Sequence, residues 1–238
     1  MTGNIAEMLL HFLYALPAIL ISLSFHEMSH GYVSHRLGDP TAYRLGRITL
    51  NPLKHLDPIG TLLLVTAMFS GFGFGWAKPV PIDPTYYKNA RRGTVLVSLA
   101  GPVSNLLLAF IFSFPMAIIG AQNGFSTGDI LGNSYIFSGA SWQMILFNIS
   151  SYFYMINIGL ATFNILPVPP LDGSKILTAV LPTDLYFKLM QYERYVGLFF
   201  LAVILWKPSV LYTILSPFRN AVRILFTTVV SPVASLFM

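Results

Sequence analysis

Five consecutive residues, His26-Glu27-Met28-Ser29-His30, gather two imidazoles and a carboxyl into a pattern suited to hydrolysis. On a helix the two histidines lie one turn apart on one face and can ligate a single ion, while Glu27, adjacent but not a ligand, can take the proton of an attacking water. A catalytic zinc takes three protein ligands and keeps one position open, so this spacing calls for one Zn2+ ion and a third ligand from elsewhere. The chain has no cysteine, which restricts that ligand to histidine or carboxylate. The segment Asn164-Ile165-Leu166-Pro167-Val168-Pro169-Pro170-Leu171-Asp172-Gly173 offers Asp172, presented by an extended, proline-rich stretch that lacks backbone donors. From the residues alone the plainer alternatives stay open: paired histidines on a packing face, and a solvated aspartate in a loop that ends a helix. His11 lies four turns before the motif, His35 beyond it at the helix end and His55 in a basic loop, all better suited to interfacial or hydrogen-bonding roles than to ligation.

The elements that must position these groups are apolar. Of 238 residues, 55% are hydrophobic and 10% charged, and the mean hydropathy is +0.67. A helix crosses hydrocarbon with about 20 apolar residues, and several stretches approach or exceed that length. The fold class expected is an all-α polytopic membrane protein, with about five or six transmembrane helices and a short membrane-associated β-hairpin or re-entrant segment. A first span from about Met8 to Phe25, retained rather than cleaved, continues as helix through the motif until Gly38-Asp39-Pro40 stops it. Tyr43 to Asn51 reads as a short strand or hairpin. Ile59 to Trp76, closing on a glycine-rich run and flanked by basic loops, reads as re-entrant. Spans follow at about Thr94 to Gly120 and Trp142 to Leu166. After Asp172 come a helix near Ile176, then Tyr192 to Trp206, then Val210 to about Phe237 with interruptions at Pro217 and Pro232. One membrane domain over 1–238 is expected, with a core over 8–181 and the helices of 186–238 as a candidate substrate gate.

The net charge of +5 lacks the dense basic run or aromatic motif that nucleic-acid binding would need. Its distribution speaks of topology instead. Eight of the fourteen Lys and Arg residues fall between Arg36 and Arg92, whereas 121–141 carries only Asp129, so the first region is expected on the cytoplasmic side and the second outside. The motif, at the end of the first span, then lies near the cytoplasmic face. Ser150, Asn157 and Asn164 recur every seven residues, and Ser98, Gly101 and Asn105 make a similar small or polar face; both stripes are expected to face inward.

The pairing of His26-Glu27-x-x-His30 with Asn164-x-x-Pro167-x-Pro169-x-x-Asp172-Gly173 resembles the site-2 proteases, intramembrane metalloproteases of the M50 class. Gly101-Pro102-Val103-Ser104-Asn105 and Gly75-Trp76-Ala77-Lys78-Pro79-Val80-Pro81 are also similar to family signatures. The resemblance covers nearly the whole chain and is nearest to the compact prokaryotic branch without a PDZ domain. It implies His26, His30 and Asp172 as zinc ligands, Glu27 as general base, and Asn105 and Asn164 as residues that bind substrate or polarise its carbonyl. It further implies an integral protein of a prokaryotic cell membrane whose partners are transmembrane substrates, unwound locally and docked beside a strand edge near Leu45 to Leu50 or Trp76 to Ile82. A divalent-metal transporter would use the same ligands, and a non-catalytic scaffold for membrane helices is a second alternative, against which the intact ligands and base argue. The Glu next to the first histidine favours catalysis, since transport has no use for a water-activating base at that spacing.

Overall fold

The computed structural model describes residues 5–70, 75–133, 135–137 and 141–237. The order is α1 (Ile5–Arg36), α2 (Thr41–Arg44), α3 (Pro58–Ser70), α4 (Ala90–Gln122), α5 (Thr127–Gly132), α6 (Trp142–Asn164), α7 (Asp172–Val180), α8 (Thr183–Gln191), α9 (Glu193–Trp206) and α10 (Pro208–Ala234), with single 3-10 turns at Pro52–Lys54, Pro84–Tyr86 and Ser235–Phe237. Four helical stretches are long and apolar enough to cross a membrane: Leu9–Arg36, Ala90–Gln122, Trp142–Asn164 and Ser209–Phe237. A fifth arises if Asp184–Gln191 and Glu193–Trp206, bent by 62°, form one broken span. The chain is thus a nearly all-helical, multi-pass membrane protein.

Two expectations fail among the described residues. No β-strand forms, and the one β-pairing outside helices is an antiparallel bridge between Leu56 and Ala77. Tyr43 to Asn51 cannot extend because its backbone is used locally: Gly46 N–H donates to Tyr43 O and Arg47 N–H to Ala42 O, with Gly46 in the left-handed region at φ 61°. The prolines of the last helix do not interrupt it either; α10 runs through Pro217 and Pro232. Each removes one helical hydrogen bond, a loss that membrane helices tolerate when other groups satisfy the freed carbonyl. For Ile59 to Trp76, the 13-residue α3 reaches about 20 Å, short of the ~30 Å hydrocarbon thickness. Residues 71–74, most of the glycine-rich run, lie outside the described residues.

The chain divides into two compact units. The first comprises Met1–Ser22, Asn105–Leu160 and Leu215–Met238. Its core joins Ala109, Met116 and Ile119 of α4, Ile130 of α5, Phe147 and Tyr154 of α6, and Val222 and Phe226 of α10. Gly120 lets α5 lie on α4, since a Cβ there would come within 2.6 Å of Ile130. A polar node crosses this packing. Asn105 Nδ2 donates to Asn157 Oδ1 (2.7 Å) and, weakly, to Ser22 O (3.4 Å), and Asn157 Nδ2 donates to Ser22 Oγ (2.7 Å) and Phe153 O (2.8 Å). Interhelical bonds of this kind contribute about 0.6 kcal/mol each in a bilayer, so the node sets helix register more than it adds stability.

The second unit comprises Leu23–Ser104 and Ala161–Ile214. Its loops are tied down by buried Asp39, which accepts from Ser34 Oγ (2.7 Å), Thr41 N–H (2.8 Å) and Asp83 N–H (2.8 Å). Gly38, at φ 110°, makes the turn that brings Asp39 back under the end of α1. An irregular, proline-rich strap, residues 75–83, lies along the motif-bearing part of α1. Its Lys78 N–H donates to His55 O (2.8 Å), Arg47 Nη2 donates to Lys78 O (2.8 Å) and Pro79 O (3.2 Å), and the Val80 side chain sits opposite Gly31.

Candidate metal centre

α1 carries the motif histidines on one face of its last turns, both buried. The third group arrives from α6, where Pro167, Pro169 and Pro170 prevent helical continuation and the chain re-enters helix at Asp172, the first residue of α7. A carboxylate at a helix N-terminus is favoured by the exposed N–H groups and the macrodipole. Gly173 makes the placement possible, because it packs on the end of α6 so closely that a Cβ would lie 2.2 Å from Ile165 O and 2.3 Å from Leu166 O.

The three groups converge. His26 Nε2 and His30 Nε2 each lie 3.1 Å from Asp172 Oδ2 and 3.0 Å from one another. The rings stand nearly perpendicular, at 81°. Lys175 Nζ stands 3.7 Å from the other oxygen, Oδ1. His30 Nδ1 lies 2.6 Å from the Val97 carbonyl, which can only accept, so Nδ1 carries the proton and a neutral His30 presents a lone pair at Nε2. That lone pair faces a carboxylate oxygen and a second imidazole nitrogen at hydrogen-bonding distance.

A proton on His26 Nε2 or a metal ion would each satisfy electron-rich atoms packed so closely. An ion held at about 2.0–2.1 Å by three ligands at tetrahedral angles needs ligand atoms roughly 3.3 Å apart, near the spacing seen here. Two imidazoles and a carboxylate are ligands zinc accepts in catalytic sites, and the Val97 carbonyl is the kind of outer partner that orients a ligating imidazole. The residues present therefore fit the group. Among the described residues no other set of histidine and acidic side chains converges in this way.

Glu27 is not part of the cluster. Its Oε2 accepts from Val80 N–H at 2.9 Å, so the strap fixes one carboxylate oxygen. Asn105 lies in the buried node of the first unit with Asn157 and Ser22. Asn164 is the last residue of α6, partly buried. Of the two polar stripes, Ser98, Gly101, Asn105, Ser150 and Asn157 are buried as expected. Three contributors escaped the sequence reading: the Val97 carbonyl and Val80 N–H, which any residue type would supply, and the close fit of Gly101. A Cβ on Gly101 would meet His26 Cε1 and His30 Nε2 at 2.5 Å. Its places in a small-residue face and in the Gly101-to-Asn105 signature were the available signals.

A cluster able to hold a metal ion narrows the relatives to be considered, and the sequence profile of Peptidase family M50 matches residues 14–204, most of the chain. The chain belongs to peptidase family M50. This M50 chain is 37% identical over 226 residues to the candidate zinc metalloprotease YwhC of Bacillus subtilis, a match covering 92% of the chain and 93% of YwhC. It is 30% identical over 171 residues to the candidate zinc metalloprotease MJ0611 of Methanocaldococcus jannaschii, covering 71% of each. With the candidate zinc metalloprotease Rip2 of Mycolicibacterium smegmatis it shares 29% identity over 162 residues, 68% of this chain and 55% of Rip2. No solved structure matches. As an M50 member, the chain is a membrane metalloprotease.

Proposed function

We propose that this M50 protein holds one zinc ion on His26 Nε2, His30 Nε2 and Asp172 Oδ2, and hydrolyses peptide bonds within or near the transmembrane segments of other membrane proteins. The observation that carries the reading is the mutual 3.0–3.1 Å approach of those three atoms at the end of a membrane-crossing helix. When bound, zinc supplies Lewis acidity that polarises the scissile carbonyl and makes water a competent nucleophile at neutral pH. Glu27 is the general base: with Oε2 held by Val80 N–H, Oε1 accepts the proton of the attacking water as the new C–O bond forms, then returns it to the departing nitrogen as C–N breaks. The Val97 carbonyl keeps the His30 proton on Nδ1. Asn164 remains the candidate for contact with the substrate backbone, whereas Asn105, engaged with Asn157, is read as a positioning residue.

Substrate must unwind locally before it can present a peptide bond. The strap is a poor edge for it, because Pro79 and Pro81 have no N–H and Lys78 N–H, Lys78 O, Pro79 O and Val80 N–H are already paired. The basic side of the chain is read as cytoplasmic in a prokaryotic cell membrane, which places the site near the cytoplasmic face. Transmembrane proteins are the partners, and regulated intramembrane proteolysis is the setting that suits such an enzyme.

The deciding test compares purified wild type and Glu27→Gln on a panel of single-span substrates, with zinc measured in both. Equal zinc with cleavage lowered by about 10²–10⁴ in the variant supports the base assignment. Equal cleavage by both removes Glu27 from the mechanism, and zinc in neither removes the metal site.

A further inference from the structure

A cavity of about 530 Å3 lies between the loop after α2 and the strap, away from the metal ligands. Arg47, Lys54 and Lys78 line it together with Leu45, Leu53 and Leu56, and no acidic residue does. The two lysines are exposed, and so are Leu45 and Leu53, at 60% and 75%. Arg47 is the opposite: only 8% of it is exposed. Its Nη2 serves the two strap carbonyls, but its Nε–H is buried and has no hydrogen-bond partner among the described residues. A guanidinium and two exposed lysines lining one cavity with no acidic residue beside them are matched by an acceptor that carries negative charge.

We propose that this cavity binds the phosphate of an anionic phospholipid. A phosphodiester offers several acceptor oxygens to the guanidinium and both ammonium groups, and the exposed leucines give the start of an acyl chain an apolar wall. Exposed leucines interleaved with basic residues, on the loop after α2 in a chain with membrane-crossing helices, are what an anionic bilayer surface attracts. An acidic peptide would satisfy the charges but leave the leucines uncovered. Occupancy also braces the strap, because Arg47 holds Lys78 O and Pro79 O, and the next residue, Val80, holds Glu27. The site stands apart from the reading of Glu27 as base, and its test reads binding rather than cleavage.

The full chain, purified in detergent, is offered equimolar phosphatidylglycerol and phosphatidylcholine of identical acyl composition, and retained lipid is counted by native mass spectrometry. Wild type should retain phosphatidylglycerol in preference by about thirtyfold or more. Each basic side chain near an anionic surface is worth about fivefold, so Lys54→Gln/Lys78→Gln should lose about thirtyfold of that preference and Lys54→Gln alone about fivefold. Both lysines are exposed, and a melting curve matching wild type shows the fold is kept. Equal retention of the two lipids, or a preference unchanged in the double variant, overturns the proposal. Binding of inorganic phosphate or of an acidic peptide at the same lysines without lipid preference overturns it too, and reassigns the cavity to that ligand.

Discussion

Gly101→Ala tests the centre through a residue that ligates nothing. A Cβ at 101 would stand 2.5 Å from His26 Cε1 and His30 Nε2 and 2.6 Å from His26 Nε2. An ordinary contact there is about 3.4 Å or more, so one or both rings must retreat by roughly 0.9 Å. His30 cannot retreat freely, being tethered to Val97 O at 2.6 Å, and Gly101 sits on the same helix as that acceptor. Metal sites tolerate ligand displacements of about 0.2 Å, so the required shift exceeds the tolerance several-fold. Disturbing the groups that orient a ligand costs about 10–100-fold in metal affinity, or about 1.4–2.7 kcal/mol, and overpacking adds about 1–3 kcal/mol of destabilisation. The assay is zinc content against buffered free zinc, with cleavage and thermal melting of the same preparations. A variant that binds zinc within twofold of wild type and cleaves normally would refute both the geometry and the reading of Gly101 as the space-making residue of the site.

Three further perturbations test neighbouring parts of the argument. Gly173→Ala puts a Cβ into two main-chain carbonyls, which cannot rotate away; the expected cost is about 3 kcal/mol together with loss of zinc, since α7 must move with Asp172, and a melting curve beside metal analysis checks both. Asn157→Ala should lower stability by about 1–2 kcal/mol while zinc content and the pH profile of cleavage stay as in wild type; loss of zinc would show that the node reaches the centre. For Asp39, burial pushes the carboxyl up, but hydrogen bonds from Thr41, Asp83 and Ser34 outweigh it and hold the group below its ordinary value. A depressed carboxyl contributes stability above its unfolded pKa of about 3.9 that is lost as pH falls toward the lower folded value. Melting temperature should therefore drop as pH falls below about 4 in wild type, and Asp39→Asn should start lower at neutral pH and respond less to acid.

The three side chains that converge in the structure were all singled out from the sequence. His26 and His30 stood out by spacing, whereas the prolines made Asp172 only a candidate until the family resemblance singled it out. The long apolar helices were equally plain, because a 20-residue hydrophobic run has few alternatives in water. Failures came where the backbone decided. Tyr43 to Asn51 has the composition of a strand, but Gly46 and the local turns consume its donors, and strand formation depends on a partner that composition does not reveal. Pro217 and Pro232 would break a helix in water and do not break α10. Val97 and Val80 act through main-chain atoms and were invisible, although Gly101 hinted at something needing room.

That His30 is oriented by a peptide carbonyl has a consequence for how the enzyme can vary. Were the acceptor a carboxylate or a hydroxyl, one nucleotide change could remove it. A carbonyl at 97 survives every substitution at 97 that preserves α4, so that position is free to drift for packing while the imidazole proton stays where it is. The same carbonyl is also the helical acceptor for the N–H four residues on, at 101. The glycine there leaves room for the His30 ring, since a Cβ would stand 2.5 Å from its Nε2. Vulnerability is thereby moved from the residue that makes the bond to the one that gives the ring its room, and in a comparison of relatives variation is expected at 97 and constancy at 101.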